Sequence, residues 1–325
     1  MVTTLPTLCP NLQAISLHHL PRDPIIAATV SGMFLATNRN NLQVFRVSSP
    51  LTEEASEVIF KLPNLRDLSV IIGGETSLPS ASLPNLIELT ITCDNEGDWP
   101  RLFHGAMFGK LESVTFNPRS EEIGDFLGAF ERVALSSSVR DTLSKFCLST
   151  LSSWSPNYSS LLSFTRLADL EIEFTCQEGC SSRVDDDIII SLSRAMPKLR
   201  SLKLGDEPCG ESTTGVTAKG LMALALHCPD LQHLCVHFQV ASLSVPPGSP
   251  GIGCKTEPTG SWTDCALTTL AVGETVVPEE SPLMVALTLL RIFPWIEFIY
   301  PIKEGWMKVE DAIRASRQTI DRSGK

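Results

Sequence analysis

The stretch Leu62-Pro-Asn-Leu-Arg-Asp-Leu-Ser-Val70 returns almost unchanged as Leu83-Pro-Asn-Leu-Ile-Glu-Leu-Thr-Ile91. Three further segments share its pattern: Cys9-Pro-Asn-Leu-Gln-Ala-Ile-Ser-Leu17, Met196-Pro-Lys-Leu-Arg-Ser-Leu-Lys-Leu204 and Cys228-Pro-Asp-Leu-Gln-His-Leu-Cys-Val236. All read L-x-x-[LI]-x-[LIV] behind an apolar residue, a proline and a polar residue. Weaker copies begin at Leu42, Leu111, Leu143, Leu167 and Leu267, and a degenerate one at Ile296 stops at Pro301. The eleven leading residues, from Leu12 to Ile296, span 284 residues in ten intervals, a mean of 28.4. A fixed period of this length marks a stacked repeat rather than one closed core.

Each copy has a physical reading. Its last two apolar positions lie two residues apart, so they point to one face of a short strand. The first apolar residue packs where the chain enters that strand. Helices are expected between the strands: 24–37, 52–62, 120–134, 184–196, 218–228 and 282–293. The segment 184–196 opens with three aspartates, which suit a helix N-terminus, and then carries an apolar stripe. Thr217 is a candidate N-cap for the segment 218–228. Several of these helices run into the proline that opens the next repeat, a residue that ends helices. The expected fold is therefore α/β: a single solenoid over 1–325, its parallel sheet on the concave face and its helices on the convex face.

Two segments break the rhythm. Residues 241–261 are rich in proline and glycine and read as a flexible inserted loop. Residues 149–163 are serine-rich and lack a helical stripe. The amphipathic stretch 306–320, with Val309, Ile313 and Ile320, is suited to capping the end of the stack.

Composition narrows the function classes. Apolar residues make up 43% and charged residues 19%, which excludes a mostly disordered chain. The net charge of −11 argues against a general nucleic-acid binder. No secretory signal and no membrane-spanning window is legible, so the expectation is a soluble chain of the cytoplasm or nucleus. The ten cysteines are then expected to stay reduced. Cys9 and Cys228 precede the repeat proline and read as small buried residues at a corner.

The openings CPNL and LPNL, the irregular spacing and the passage from Thr217 to Leu231, T-x-x-G-L-x-x-L-x-x-x-C-P-x-L, resemble the ribonuclease-inhibitor-like leucine-rich repeats of F-box proteins. The irregular units look most like the large fungal group of them. The resemblance covers nearly the whole chain. It implies a right-handed α/β horseshoe and the work of a substrate receptor in a cullin-type ubiquitin ligase. The helical F-box that binds the cullin adaptor is not legible, and the first repeat starts by residue 9. The expectation is a C-terminal portion of a longer receptor, or a homologue that lost its F-box. The cullin adaptor is a partner only if an F-box lies upstream. A scaffold of the same repeats, unrelated to ubiquitination, is the alternative.

Catalytic motifs give little. Gly248 to Thr256 mimics a phosphate-binding loop, but Cys254 separates Gly253 from Lys255 and no helix start follows. No nucleophile elbow or metalloprotease motif is present. Cys176 and Cys180 read as a reduced surface loop. His233, Cys235 and His237 share one strand face, but their spacing matches no zinc motif, and no metal or other cofactor is expected. Asp185, Asp186 and Asp187 read as dipole-complementing residues rather than a cation site.

What remains is the concave face. Alternation lists its outward residues as Lys145, then Asp169, Glu171 and Glu173, then Lys203, then His233, Cys235 and His237. The expectation is a non-catalytic docking surface with an acidic centre, suited to a basic segment of a protein partner.

Overall fold

A computed structural model describes residues 11–20, 23–36, 41–72, 82–93, 107–118, 127–128, 130–132, 138–150, 157–174, 184–205, 215–243, 265–272, 277, 281–300 and 304–323. The chain divides into two compact units, Met1–Arg166 and Leu167–Lys325.

In the first unit the strands are β1 (Ala14–Leu17), β2 (Val44–Pro50), β3 (Asp67–Ile72), β4 (Ser82–Leu83), β5 (Glu88–Cys93), β6 (Met107–Phe108), β7 (Ser113–Pro118) and β8 (Lys145–Thr150). β1, β2, β3, β5, β7 and β8 lie side by side in that order, and every pair is parallel. β4 and β6 form a separate two-stranded parallel pair. In the second unit β9 (Asp169–Phe174), β10 (Ser201–Leu204), β11 (His233–Val236), β12 (Thr269–Ala271) and β13 (Phe298–Tyr300) lie in sequence order, again parallel.

The repeat fixes this register. Each of the eleven strands begins two residues after a leading residue of the motif. Consecutive repeats pair position for position, so Asp67 faces Glu88 and Ser201 faces His233. The backbone shows why. Within each unit, the carbonyl just after a leading residue accepts two N–H groups from the next repeat. Arg66 O takes Ile87 N at 2.8 Å and Glu88 N at 3.0 Å, and Arg200 O takes Gln232 N at 2.8 Å and His233 N at 3.0 Å. A one-residue slip would break these pairs and turn the apolar positions to water.

The apolar positions fill the core. Leu42, Leu65, Leu86, Leu111, Leu143, Leu167, Leu199, Leu231, Leu267 and Ile296 are fully buried, as are the strand pairs Leu68/Val70, Leu170/Ile172 and Leu234/Val236. In the first unit, rings add to this. Phe130 stacks on Phe164 with centroids 5.4 Å apart and meets Phe116 edge-on at 5.7 Å.

Seven helices are described: α1 (Pro24–Ala36), α2 (Glu53–Ile59), α3 (Val139–Thr142), α4 (Asp186–Ala195), α5 (Ala218–His227), α6 (Pro282–Ile292) and α7 (Glu304–Ser323). Four of them, α1, α4, α5 and α6, match the expected segments closely. α2 is shorter than the expected 52–62: Thr52 caps it through Ala55 N, and it closes at Phe60. Of the expected helix 120–134, the described residues 127–128 and 130–132 are helical, with Leu127 and Phe130 buried. α3 and a 3₁₀ turn at Tyr158–Leu161 carry no legible stripe and are additions to the expectation.

The helix ends repeat as the strands do. The residues closing α4, α5 and α6 (Met196, Cys228 and Phe293) have φ of −122°, −120° and −128° and ψ of 65°, 73° and 82°. Each precedes a proline, which forbids further helix at that residue. α7 extends the expected 306–320 at both ends and packs on α6. Its Trp306 is fully buried and meets Phe238 edge-on at 5.8 Å. Of the expected loop 241–261, residues 241–243 belong to a 3₁₀ turn, Val240–Leu243, and the rest lies outside the described residues.

Candidate functional site

Seven of the eight expected site residues fall in the second unit, on the sheet face opposite its buried side. Asp169, Glu171 and Glu173 alternate along β9 with buried Leu170 and Ile172. Lys203 follows on β10, His233 and Cys235 on β11, and His237 just after it. Register places them in rows. One row runs Asp169, Ser201, His233, Thr269, Phe298; the next runs Glu171, Lys203, Cys235, Ala271, Tyr300. Lys145 starts β8 in the first unit, where it is exposed and pairs in register with Ser113.

The acidic centre is partly neutralised from within. The Lys203 ammonium donates to Glu173 and lies 3.6 Å from Glu171 Oε1. Lys203 is therefore more than a flanking residue: one cation bridges two carboxylates on the adjacent strand. All three side chains are half-buried, so the pairing is worth on the order of 1 kcal/mol. The three carboxylates of β9 still outnumber the lysine.

The first unit carries a second arrangement of the same kind, which the sequence reading missed. Arg46 on β2 grips Asp67 on β3, its Nε lying 3.0 and 2.9 Å from the two carboxylate oxygens. Its Nη2 lies 3.5 Å from Glu88 on β5. Hydrogen bonding and attraction from Asp67 raise the Arg46 pKa, so it stays fully charged. The signal was available, since Arg46, Asp67 and Glu88 are outward positions of three successive strands under the same alternation. The aromatic pair on β13 was missed as well. Phe298 and Tyr300 flank buried Ile299 and are 51% and 62% exposed.

The two corner cysteines of the second unit are chemically closed off. Cys228 is fully buried at its helix-to-strand corner, as expected, and its thiol donates to Ser193 O and Met196 O, each 3.6 Å away. Burial, aided by Cys265, pushes its pKa up to about 12. The Cys265 thiol donates in turn to Cys228 O at 3.7 Å, and burial raises its pKa too. Both stay protonated and unreactive at neutral pH. Among the described residues no three His, Cys, Asp or Glu side chains are grouped to hold a metal ion. Cys9, Cys176, Cys180 and the stretch Gly248 to Thr256 lie outside the described residues.

Two of the three aspartates serve helix ends. Asp185 caps its own helix α4 through Ile188 N at 2.9 Å. Asp186 reaches into the next repeat. Its Oδ1 accepts Thr217 N at 2.8 Å and Gly220 N at 2.9 Å, and its Oδ2 accepts the Thr217 hydroxyl at 2.6 Å. Thr217 itself caps α5 through Lys219 N at 3.1 Å.

A polar recess of about 290 Å³ opens in the first unit, where the strands begin; Gln13, Asn41, Gln43, Asn64, Arg66 and Asn85 line it. Part of this lining ties repeats together. Asn85 donates to Pro63 O at 2.9 Å and accepts from Lys110 Nζ at 3.1 Å.

The chain matches no family model, and no curated protein matches it. Among the described residues no helix is long and apolar enough to cross a membrane.

Proposed function

We propose that this chain is a non-enzymatic protein-recognition module that docks a basic segment of a protein partner on the outward face of its sheet. The observation that carries this reading is the row of three carboxylates on β9, aligned by alternation on the outward face of the sheet. Charge of one sign on a rigid sheet selects partners by complementarity more than by raw affinity. The motif resemblance extends the proposal: the chain is the substrate-receptor part of an F-box-type cullin ubiquitin ligase subunit, working in the cytoplasm or nucleus. Its work is then binding and presentation, and transfer chemistry belongs to other subunits.

Affinity capture with the natural full-length product tests the extension. Recovery of a cullin adaptor supports it; partners without an adaptor move the reading to a scaffold. Charge reversal tests the face itself. Glu171→Lys with Glu173→Lys should abolish capture of a basic partner. Adding Lys203→Glu rebuilds the ion pairs with inverted sign, so fold is restored while binding stays lost. Capture unchanged in both variants rejects the face.

A further inference from the structure

We infer that the polar recess of the first unit is a binding site for a carboxylate that carries hydroxyl or amide groups, its anionic end on Arg66 and its polar groups on Gln43 and Gln13. The inference does not depend on the carboxylates of β9.

The repeat builds the recess. Gln13, Gln43 and Arg66 each follow the leading residue of their repeat, just before β1, β2 and β3. Their backbones are tied in order. Gln13 O accepts Gln43 N at 2.8 Å and Val44 N at 3.0 Å, and Gln43 O accepts Arg66 N at 2.7 Å and Asp67 N at 3.0 Å. Three side chains of successive repeats therefore stand in a rank at the strand spacing of about 4.8 Å, roughly 10 Å from first to last. Asn41, Asn64 and Asn85, each just before a leading residue, complete the lining. Asn85 is held on both sides, by Pro63 O at 2.9 Å and Lys110 Nζ at 3.1 Å, so this part of the wall is set before a ligand arrives.

The chemistry of the lining selects the ligand. The described lining is five carboxamides and one guanidinium around about 290 Å³. Among the described residues no acidic, aromatic or aliphatic side chain lines it. An anion meets no like charge there, and an apolar group finds nothing to pack against. Arg66 carries the one ionised group of the described lining. Its side chain, like those of Gln13 and Gln43, makes no hydrogen bond or ion pair among the described residues. Asp67, its neighbour in sequence, is gripped by Arg46 instead. A guanidinium fork matches a carboxylate with two parallel bonds. One guanidinium balances one negative charge, which favours a carboxylate over a phosphate dianion. The glutamine amides both donate and accept, so they complement hydroxyl or peptide groups rather than a second charge. A free sugar acid and an acidic residue within a peptide share this chemistry.

Calorimetric titration of the full chain tests the site. The probes are gluconate, glucose, inorganic phosphate, a blocked tetrapeptide with one glutamate and its glutamine counterpart. Gluconate or the glutamate peptide should bind, and the tighter of the two names the source. Glucose and the glutamine peptide should not bind measurably, and phosphate should bind more weakly than the carboxylate. Arg66→Gln should abolish binding. Arg66→Lys keeps the charge without the fork and should weaken binding about tenfold. Gln43→Ala should weaken it about fivefold, as for one lost hydrogen bond. Arg66 is exposed and Gln43 half-buried, so the fold should hold, and an unchanged thermal melt verifies this. Failure of both carboxylates to bind overturns the site, as does undiminished binding by the folded Arg66→Gln chain. Phosphate binding tighter than both carboxylates, or glucose binding as well as gluconate, overturns the assignment of a carboxylate.

Discussion

Asp186 carries a carboxylate that serves a helix other than its own. It satisfies two N–H groups and a hydroxyl at the start of α5, all from the following repeat. Gly220 makes the approach possible, because a Cβ there would lie 2.6 Å from Asp186 Oδ1. Asp186→Ala should therefore cost about 2 kcal/mol, the sum of a lost cap and stranded donors. Gly220→Ala should destabilise the same joint, and combining the two should cost less than their sum, because both act on one contact. Chemical denaturation of the single and double variants measures this. The sequence reading placed the aspartates at a helix start but assigned them to their own dipole. A side chain that caps across repeats leaves no local spacing signal, since its partners lie about thirty residues away. Cys228 is the contrasting case. Its place in the motif was enough to predict a buried corner, and burial sets its chemistry. Its folded pKa, about 12, lies above the ordinary thiol value of 9.0. The folded chain therefore holds its proton while the unfolded chain releases it above pH 9. Stability should be unaffected below pH 9 and fall as pH rises from 9 towards 12, with a slope approaching one proton. Cys228→Ala should start less stable, from the cavity, but show a shallower fall over that window in pH-dependent unfolding.

At the scale of elements, strand positions were legible and the shorter connections were not. The strand signal is strong because two constraints coincide. The inward alternation must bury apolar residues, and within each unit the carbonyl after a leading residue must receive two N–H groups from the next repeat. Both depend on the same few residues, so the motif fixes the strand to the residue. The paired segments β4 and β6 and the 3₁₀ turn at Tyr158–Leu161 escape such a reading. They are two to four residues long, below one period of any pattern, and depend on what packs beneath them. Gly109 illustrates this: a Cβ there would lie 2.3 Å from Pro84 O, a close approach visible only after folding. The candidate site follows the same division. Its β9 to β11 residues were readable because their repeats are regular. The β13 rings were passed over because the repeat at Ile296 is degenerate, although its alternation is intact. α7 was legible as an amphipathic stripe, and its anchor is Trp306, sealed against Phe238. Trp306→Ala should cost about 3–5 kcal/mol, as for other large-to-small aromatic truncations. Thermal unfolding should show the loss directly, and hydrogen exchange should place its earliest effect at α7 and α6.

At the scale of the whole molecule, the stabilising contacts are between neighbours in sequence order. Within each unit, successive repeats pair strand to strand, the Asp186 cap joins α4 to α5, and the Cys228 and Cys265 thiols join consecutive corners. Stability in such an array is a sum of repeat and interface contributions rather than the property of one core. A cavity in one repeat should then be felt over a short range. Leu234 is buried on β11, between β10 and β12. Leu234→Ala should lower stability by about 2–5 kcal/mol. Its signature in native-state hydrogen exchange should be faster opening of the β10, β11 and β12 amides, while those of β2, β3 and β5 keep their protection. Uniform acceleration across all strands would show that the array unfolds as one cooperative body. Confinement to the neighbours would mean that the outward face of β9 to β13 can loosen at one end while the acidic residues of β9 hold their places.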